Sequence, residues 1–445
     1  MNRNLSVFLV VWIAVSVPAL CQEREPPRPR ANGTERAGDL PEYVARTVAA
    51  DDPDWLRIGA EVRARFEDRA GLQQDPIEPG RTSAGLTRTR LFAGFGRARS
   101  PVRFAIEAQD SRQLGLRDPP ELLTINEADL LQARLTVDFD ALAAVPVTVD
   151  LGRISFDGID LRLIARNRNR NTANAFDGAR IRVGGDRAAF RLEGLALWPT
   201  EPREERLDPV GPGQRLLGLI GRIRRPAVVV EPYYLHFDAE RDGPRRLHTT
   251  GVRLFGPLAA RGAHAVDVSA QRGSTHRPRH RAFALHAEIG RRWENAWAPR
   301  LAGWLNYATG DADPLDARHG RFDPLFGASH ALFGLTDLLS WENTVTPTAG
   351  FTFRPRTAVD VALAHRLVWL ASARDAFVGG GVRDRTGRGG AFVGQELDVL
   401  VQWKMFPAAA LDVQYGRLFA GGFLERTGNR GGARTFFVAL TAKLP

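Results

Sequence analysis

The chain has 445 residues, a formal net charge of +10 and one cysteine, so no internal disulfide framework is available to it. Lys404 and Lys443 are the only lysines; 59 of the 61 basic residues are arginine. A nucleic-acid role is the usual reading of so basic a chain, but an export signal and the absence of mixed aromatic and basic recognition motifs oppose it.

Residues 1–21 read as a signal peptide. Arg3 supplies the positive start and Leu5 to Leu20 the apolar stretch, which is too short to span a membrane comfortably. Ala19 and Cys21 place small residues at −3 and −1, predicting cleavage after Cys21. Lipoprotein processing before Cys21 is disfavoured, because Leu20 would stand where a small residue is wanted. Residues 22–53 are polar and begin proline-rich, as in a flexible leader. No second run of about 18 apolar residues follows. A hydropathy scan would therefore read a soluble secreted protein, but membrane β-barrels escape such scans because their strands alternate.

From residue 54 to 445 the pattern predicts an all-β fold, a single transmembrane antiparallel β-barrel with long extracellular loops. In the first segment Leu56, Ile58, Ala60, Val62, Ala64 and Phe66 share one face. Arg57, Gly59, Glu61, Arg63, Arg65 and Glu67 share the other. Period two over a dozen residues exceeds a usual globular strand. About eighteen such segments are predicted, near 55–67, 86–99, 101–112, 127–139, 146–154, 175–183, 187–198, 215–224, 227–238, 246–255, 263–272, 281–293, 299–309, 344–354, 357–369, 392–404, 409–418 and 433–443. Long insertions are expected at 67–85, 199–214, 310–343 and 375–391, as extracellular loops or pore plugs. Aromatic residues near segment ends (Trp198, Tyr233, Tyr234, Trp293, Trp297, Trp304, Trp369 and Trp403) suit interfacial girdles.

No catalytic signature is present, so no enzymatic activity is expected. There is no Walker A sequence, no Gly-x-Ser-x-Gly elbow and no HExxH pair. His276 and His280 have Pro278 between them and cannot share a helical face. Asp311, Asp313 and Asp316 cluster in a loop, but Leu315 stands where a ligand is needed, so an acidic turn is the reading. No metal and no cofactor is expected.

The charged parity of the barrel predicts a lumen lined by Arg57, Arg63, Arg65, Arg88, Arg90, Arg103, Arg134, Arg180, Arg182, Arg222 and Arg253. Rings of arginine lower the barrier to an anion. Glu61, Glu107, Glu288, Glu396 and Asp398 are interleaved acids that would keep the anion from binding too tightly to leave. The alternative for each arginine is a cross-strand ion pair that stiffens the wall. Genomic base composition is the bland account of the arginine excess itself.

Three ordered stretches resemble the alginate export family of outer-membrane barrels. The first is Gly152-Arg153, Gly158, Asp160, Arg162-Leu163-Ile164 and Phe176-Asp177-Gly178. The second is Asn306-Tyr307-Ala308-Thr309-Gly310-Asp311 followed by Phe322-Asp323-Pro324-Leu325-Phe326 and Gly334-Leu335. The third is Gly394-Gln395-Glu396-Leu397-Asp398. The resemblance spans roughly 55 to 445 and implies an 18-stranded barrel with an electropositive pore secreting an anionic exopolysaccharide. It alone places Arg153 in the pore, since that residue has the apolar parity of its strand. Two departures stand out. Residues 165–171 lack the tryptophan that members often carry, and the chain ends Lys443-Leu444-Pro445 rather than on an aromatic residue. The expected partners are an acidic polysaccharide or small organic anions, outer-membrane lipid and periplasmic export machinery, with the barrel a monomer. The competing functions are uptake of small acidic solutes and, further off, a secreted β-rich enzyme acting on polysaccharide.

Overall fold

The computed structural model describes residues 55–445 apart from 72–80, 98–99, 116–123, 140–144, 186, 241–242, 260, 278, 314, 429 and 445. The expected signal peptide (1–21) and leader (22–53) lie outside the described residues. Eighteen antiparallel strands follow one another: β1 (Leu56–Gly71), β2 (Arg81–Phe95), β3 (Val102–Leu114), β4 (Asn126–Asp138), β5 (Val147–Ile154), β6 (Phe176–Val183), β7 (Phe190–Pro199), β8 (Arg215–Arg224), β9 (Val229–Ala239), β10 (Arg245–Leu258), β11 (Gly262–Ser274), β12 (Arg279–Arg292), β13 (Arg300–Ala308), β14 (Thr344–Arg356), β15 (Val359–Trp369), β16 (Phe392–Phe406), β17 (Ala409–Ala420) and β18 (Ala433–Leu444). Each pairs with the next, and β18 pairs with β1 from Ala60↔Leu444 to Gly71↔Ala433, closing the ring.

Burial along the strands is inverted relative to a soluble sandwich. In β1, Glu61, Arg63, Arg65 and Glu67 are buried, whereas Ile58, Val62 and Phe66 are 60%, 46% and 47% exposed. The same holds on β2, where Arg88 and Arg90 are buried and Leu91 is exposed. Charge inside and aliphatic groups outside is the arrangement of a barrel in lipid.

The longest connections gather at one end of the barrel and the tightest at the other. Those at 225–228, 259–261, 357–358 and 407–408 are tight, while those at 155–175, 309–343, 370–391 and 421–432 are long. By the usual asymmetry of bacterial barrels the tight end, where β1 begins and β18 ends, faces the periplasm. All eighteen segments expected from the alternation are present. One boundary differs: the expected insertion at 67–85 is shorter, because β1 and β2 stay paired up to Ala70↔Arg81. The added residues are polar on both faces, as suits a strand continuing beyond the hydrocarbon.

Two of the expected girdle aromatics turn inward. The Tyr233 hydroxyl donates to Asp267 at 2.7 Å. Trp304 packs with Ala302 and Ala364 over Gly350, where a Cβ would meet the indole at 2.7 Å. Trp198, Tyr234, Trp297 and Trp403 are exposed.

Inside, the wall is zoned along its axis. On β6–β9 the inward positions near the periplasm are charged (Arg180, Arg182, Arg191, Glu193, Arg222, Glu231). Further up the same strands they become apolar: Phe176, Leu195, Leu197, Leu216, Leu235 and Phe237 are all buried. The apolar zone exists because loops fold into it.

A lipid-facing charge separates this arrangement from a soluble one. Val62→Arg is expected to lower stability by about 2–4 kcal/mol in urea titrations of the barrel folded into phospholipid vesicles; a soluble β-protein would lose almost nothing at so exposed a position.

Candidate functional site

The inward charges are engaged by neighbours, mostly across adjacent strands. Arg88 meets Glu61 at 2.5 Å, and Arg90 donates from Nε to Gln109 at 2.8 Å. Arg65 pairs with Glu67, and Arg103 meets Asp138 at 2.6 Å near the tight-turn end. Asp150 lies 2.7 Å from Arg182 and 3.9 Å from Arg134. Arg180 grips Glu193 with two bonds of 2.7 and 3.1 Å, a bidentate geometry that lysine could not make. Glu231 sits between Arg222 and Arg253. Arg57 has the inward parity of β1. Arg153 does not: it shares the parity of Leu151, pairs with Asp177 at 2.7 and 2.9 Å, and donates to the Asp208 carbonyl at 2.8 Å.

Residues 155–175, between β5 and β6, fold into the lumen. The chain leaves the wall where Gly152 and Gly178 face each other across β5 and β6, both at positive φ (+107° and +147°). A Cβ at either would strike a neighbouring strand's carbonyl oxygen at 2.3 or 2.1 Å, so this exit requires glycine. The loop then crosses the barrel. At one side Arg63 donates to the carbonyls of Arg168, Asn169 and Arg170 at 3.4, 3.1 and 3.0 Å. Arg65 donates to Asn169 at 2.6 Å, and Arg88 to Arg168 and Arg170 at 2.8 and 2.9 Å. Asn171 locks this end, its amide donating to the carbonyls of Thr87, Arg112 and Thr124 at 3.0, 3.2 and 2.8 Å. At the other side Arg253 of β10 donates to the Ile159 carbonyl at 3.0 Å and lies 3.4 Å from Asp160.

A second inserted segment, within 309–343, pairs with the first. Ala165 donates to the Phe326 carbonyl at 3.1 Å, Phe326 to Leu163 at 3.0 Å and Ala328 to Leu161 at 2.7 Å. Its far end is tied to β16, where Thr336 donates its hydroxyl to Glu396 at 2.7 Å and Leu335 its amide to Asp398 at 3.2 Å. Glu396 and Asp398, expected as pore acids, thus hold a loop. Phe156, Leu163, Phe322, Phe333 and Trp341 join the inward Phe176, Leu235, Phe237 and Val393 in one apolar cluster.

Charge within the loops is controlled by burial and partners. Burial opposes ionisation of Asp160, yet Arg162, Arg253 and His286 hold its carboxyl below the usual range. Burial lowers Arg170 to about 10. Asp375, in the loop after β15, is also buried, but Arg321 and Arg383 and the Asp311 amide hold it down to about 2.

Around β1–β3 the guanidinium groups outnumber their acids. Arg63, Arg65, Arg88, Arg90 and Arg166 gather about Glu61, Glu67 and Glu107. Arg63 satisfies its Nη donors largely with neutral carbonyls, and neither Nη of Arg90 has a hydrogen-bond partner among the described residues. This arrangement can hold anions; among the described residues it offers no grouping of His, Cys, Asp and Glu suited to a metal.

A profile for alginate export matches residues 54–438. The chain belongs to the alginate export family. It is an outer-membrane channel. No curated protein matches it in sequence. Among solved structures it is similar to OpdQ of Pseudomonas aeruginosa, at 12% identity and TM-score 0.58 over 88% of this chain and 98% of that one. It is similar to OccAB1 of Acinetobacter baumannii, at 12% identity and TM-score 0.59 over 87% and 96%. It is also similar to P. aeruginosa OccK2 (OpdF) in complex with glucuronate, at 11% identity and TM-score 0.57 over 88% and 98%. These likenesses show the fold.

The family motifs acquire physical meaning here: Gly152 and Gly178 permit the loop exit, and Glu396 and Asp398 tie the second loop. The sequence reading placed Arg162 in a family motif and Arg166 and Asn171 in a departing stretch, but gave none of them a role in the lumen. Their signal was present, since the polar run 165–171 lies between two short strands and so cannot be wall.

Two outcomes are expected. Asn171→Ala removes three hydrogen bonds that anchor the loop to the wall, costing about 1–3 kcal/mol, and should raise single-channel conductance as the loop loosens. Asp375 has a folded pKa below its unfolded value of roughly 3.9, so its contribution is complete above that pH and is lost as pH falls from about 4 towards about 2. Protease sensitivity of the 309–343 and 370–391 loops should rise over that interval and remain flat above it.

Proposed function

We propose that this channel passes an acidic saccharide chain outward by exchange of acceptors on its lumen arginines. The observation that carries the reading is the set of guanidinium donors on Arg63, Arg65 and Arg88 held by neutral carbonyls of residues 168–170. A carboxylate is the stronger acceptor, since charge-assisted hydrogen bonds are roughly twice as strong as neutral ones. A uronate entering from the periplasmic side would displace the loop carbonyls, and the loop would return once it has passed. The acids beside these arginines, Glu61, Glu67 and Glu107, keep each contact weak enough to break. A polymer with a carboxylate on successive sugars always has another group ready for the vacated donor. Permeation of this kind needs many exchangeable contacts rather than one tight site.

Uptake of small acidic solutes is the second reading, supported by the similar barrel solved with glucuronate. The same donors would serve a monomer, without the advantage of successive carboxylates.

Planar-bilayer recording distinguishes them. Oligouronates added on the periplasmic side are expected to interrupt the current for times that lengthen with chain length. Arg63→Gln combined with Arg88→Gln should shorten those interruptions by about tenfold or more, the equivalent of roughly 1.5–3 kcal/mol for a hydrogen bond to a charged group. If glucuronate permeates freely while oligomers neither block nor pass, the uptake reading stands and the export reading falls.

A further inference from the structure

The outside of the barrel carries a second concentration of arginine. On β8–β12 at the long-loop end, the strand register brings outward-facing basic residues into two adjoining rows. In the upper row Arg215 faces Asp238, and Asp238 faces Arg246. In the row below, His236 faces His248, His248 faces Arg272, and Arg272 faces Arg281. Arg279 lies two residues above Arg281 on the same face of β12.

The next row towards the membrane centre is Tyr234, Thr250, Ala270 and Phe283. Tyr234 and Phe283 are exposed, and Tyr307 stacks obliquely on Phe283 with ring centres 6.1 Å apart. Below it come Val252, Val268 and Leu285, in register. The outer surface therefore passes from arginine through aromatic to aliphatic within three rows. That is the order of headgroup, interface and acyl chain in a bilayer.

The patch is unbalanced. In these two rows the one acid among the described residues, Asp238, is already engaged by Arg215 at 2.9 Å, Arg246 at 3.1 Å and His236 at 2.9 Å. Arg272, Arg279 and Arg281 are exposed, and no side-chain partner holds them among the described residues. Elsewhere on the same rim Arg81 meets Asp68 at 2.6 Å, and Arg112 meets Asp110 at 2.8 Å and Glu127 at 3.4 Å, while Arg417 lies opposite Arg434 and donates to the Gly431 carbonyl. Adjacent strands lie about 4.8 Å apart, so Arg272 and Arg281 can place two guanidinium forks on one phosphate.

We infer that the outer face of β8–β12 binds the phosphorylated headgroup of an outer-leaflet glycolipid. The phosphates sit on Arg272, Arg279 and Arg281, and the acyl chains lie on Phe283, Leu285 and Val268. This site is separate from the lumen and does not depend on what the channel carries.

The test is native mass spectrometry of the full-length barrel in detergent. Hexa-acylated diphosphoryl lipid A is the probe, and the same lipid stripped of its phosphates is the control. The wild type should retain the diphosphoryl form and release the dephosphorylated one. Each arginine near a charged membrane surface strengthens association by roughly fivefold. The triple variant Arg272→Gln, Arg279→Gln, Arg281→Gln should therefore bind about a hundredfold more weakly, while Arg112→Gln binds as the wild type does. Heat-modifiable gel migration and unchanged conductance verify that the variants are folded. Equal retention of the two lipid forms by the wild type overturns the inference without recourse to any variant. Undiminished binding by a folded triple variant also overturns it. So does displacement of lipid A by millimolar inorganic phosphate, which would make the patch a site for soluble anions.

Discussion

Where the last strand meets the first, Leu440 lies opposite Ala64 and Val438 opposite Phe66. In hydrocarbon no water is available to an unpaired amide, so a sheet that enters the membrane must leave no edge. The pairing of β18 with β1 meets that requirement, and the rest of the molecule follows from it. A closed ring has an inside and an outside, and each strand shows alternate residues to the two. The outside must be aliphatic. The inside of an eighteen-stranded ring is too wide for wall side chains alone to fill. It takes charge, loops or water, and in this protein the described residues supply both charge and loops.

How the charge and the loops divide the work explains the abundance of arginine. A lumen of fully matched ion pairs would be rigid and indifferent to solutes. A lumen of unmatched cations would bind an acidic chain too tightly to release it. The wall lies between these extremes. Arg180 with Glu193, and Arg182 with Asp150, are matched. Arg63 spends its donors on backbone oxygens that bring no negative charge, leaving an attractive field without an open binding site. Lysine is a poorer fit here, since its three donors radiate from one nitrogen and lack the rigid planar fork with which Arg63 and Arg88 span neighbouring carbonyls.

The wall was legible in the sequence because its signal is periodic. Period two survives any local variation in residue choice, so Leu56 to Phe66 reads as a strand whatever its neighbours do, and every strand was placed within five residues at either end. The insertions at 310–343 and 375–391 were legible as loops or plugs, but the folding of the loops was not. Whether residues 155–175 project outwards or fold inwards depends on contacts with β1, β2 and β10, about a hundred residues away along the chain, and no local pattern encodes those. Parity alone also treats all inward positions alike. It counted Arg63, which holds a loop, with Arg222, which is one-third exposed in the lumen. The inward leucines and phenylalanines of β7–β9 were the overlooked clue, since Leu195, Leu235 and Phe237 have no reason to face a hydrated bore unless something apolar covers them.

The axial zoning of the lumen has an electrical consequence. The half nearest the periplasm is lined by charged side chains, whereas the upper half is occupied by Phe156, Phe322 and Trp341 and the two paired loops. Potential drops mainly across the segment of greatest resistance. A voltage applied to the membrane is therefore concentrated on the loop-filled half, where it acts on the charges the loops carry, among them Arg162, Arg166 and Asp160. A hundred millivolts does about 2.3 kcal/mol of work on each unit charge that crosses the whole drop. The segment that restricts passage is thus also the segment that the field pulls on, and the barrel wall bears little of that force.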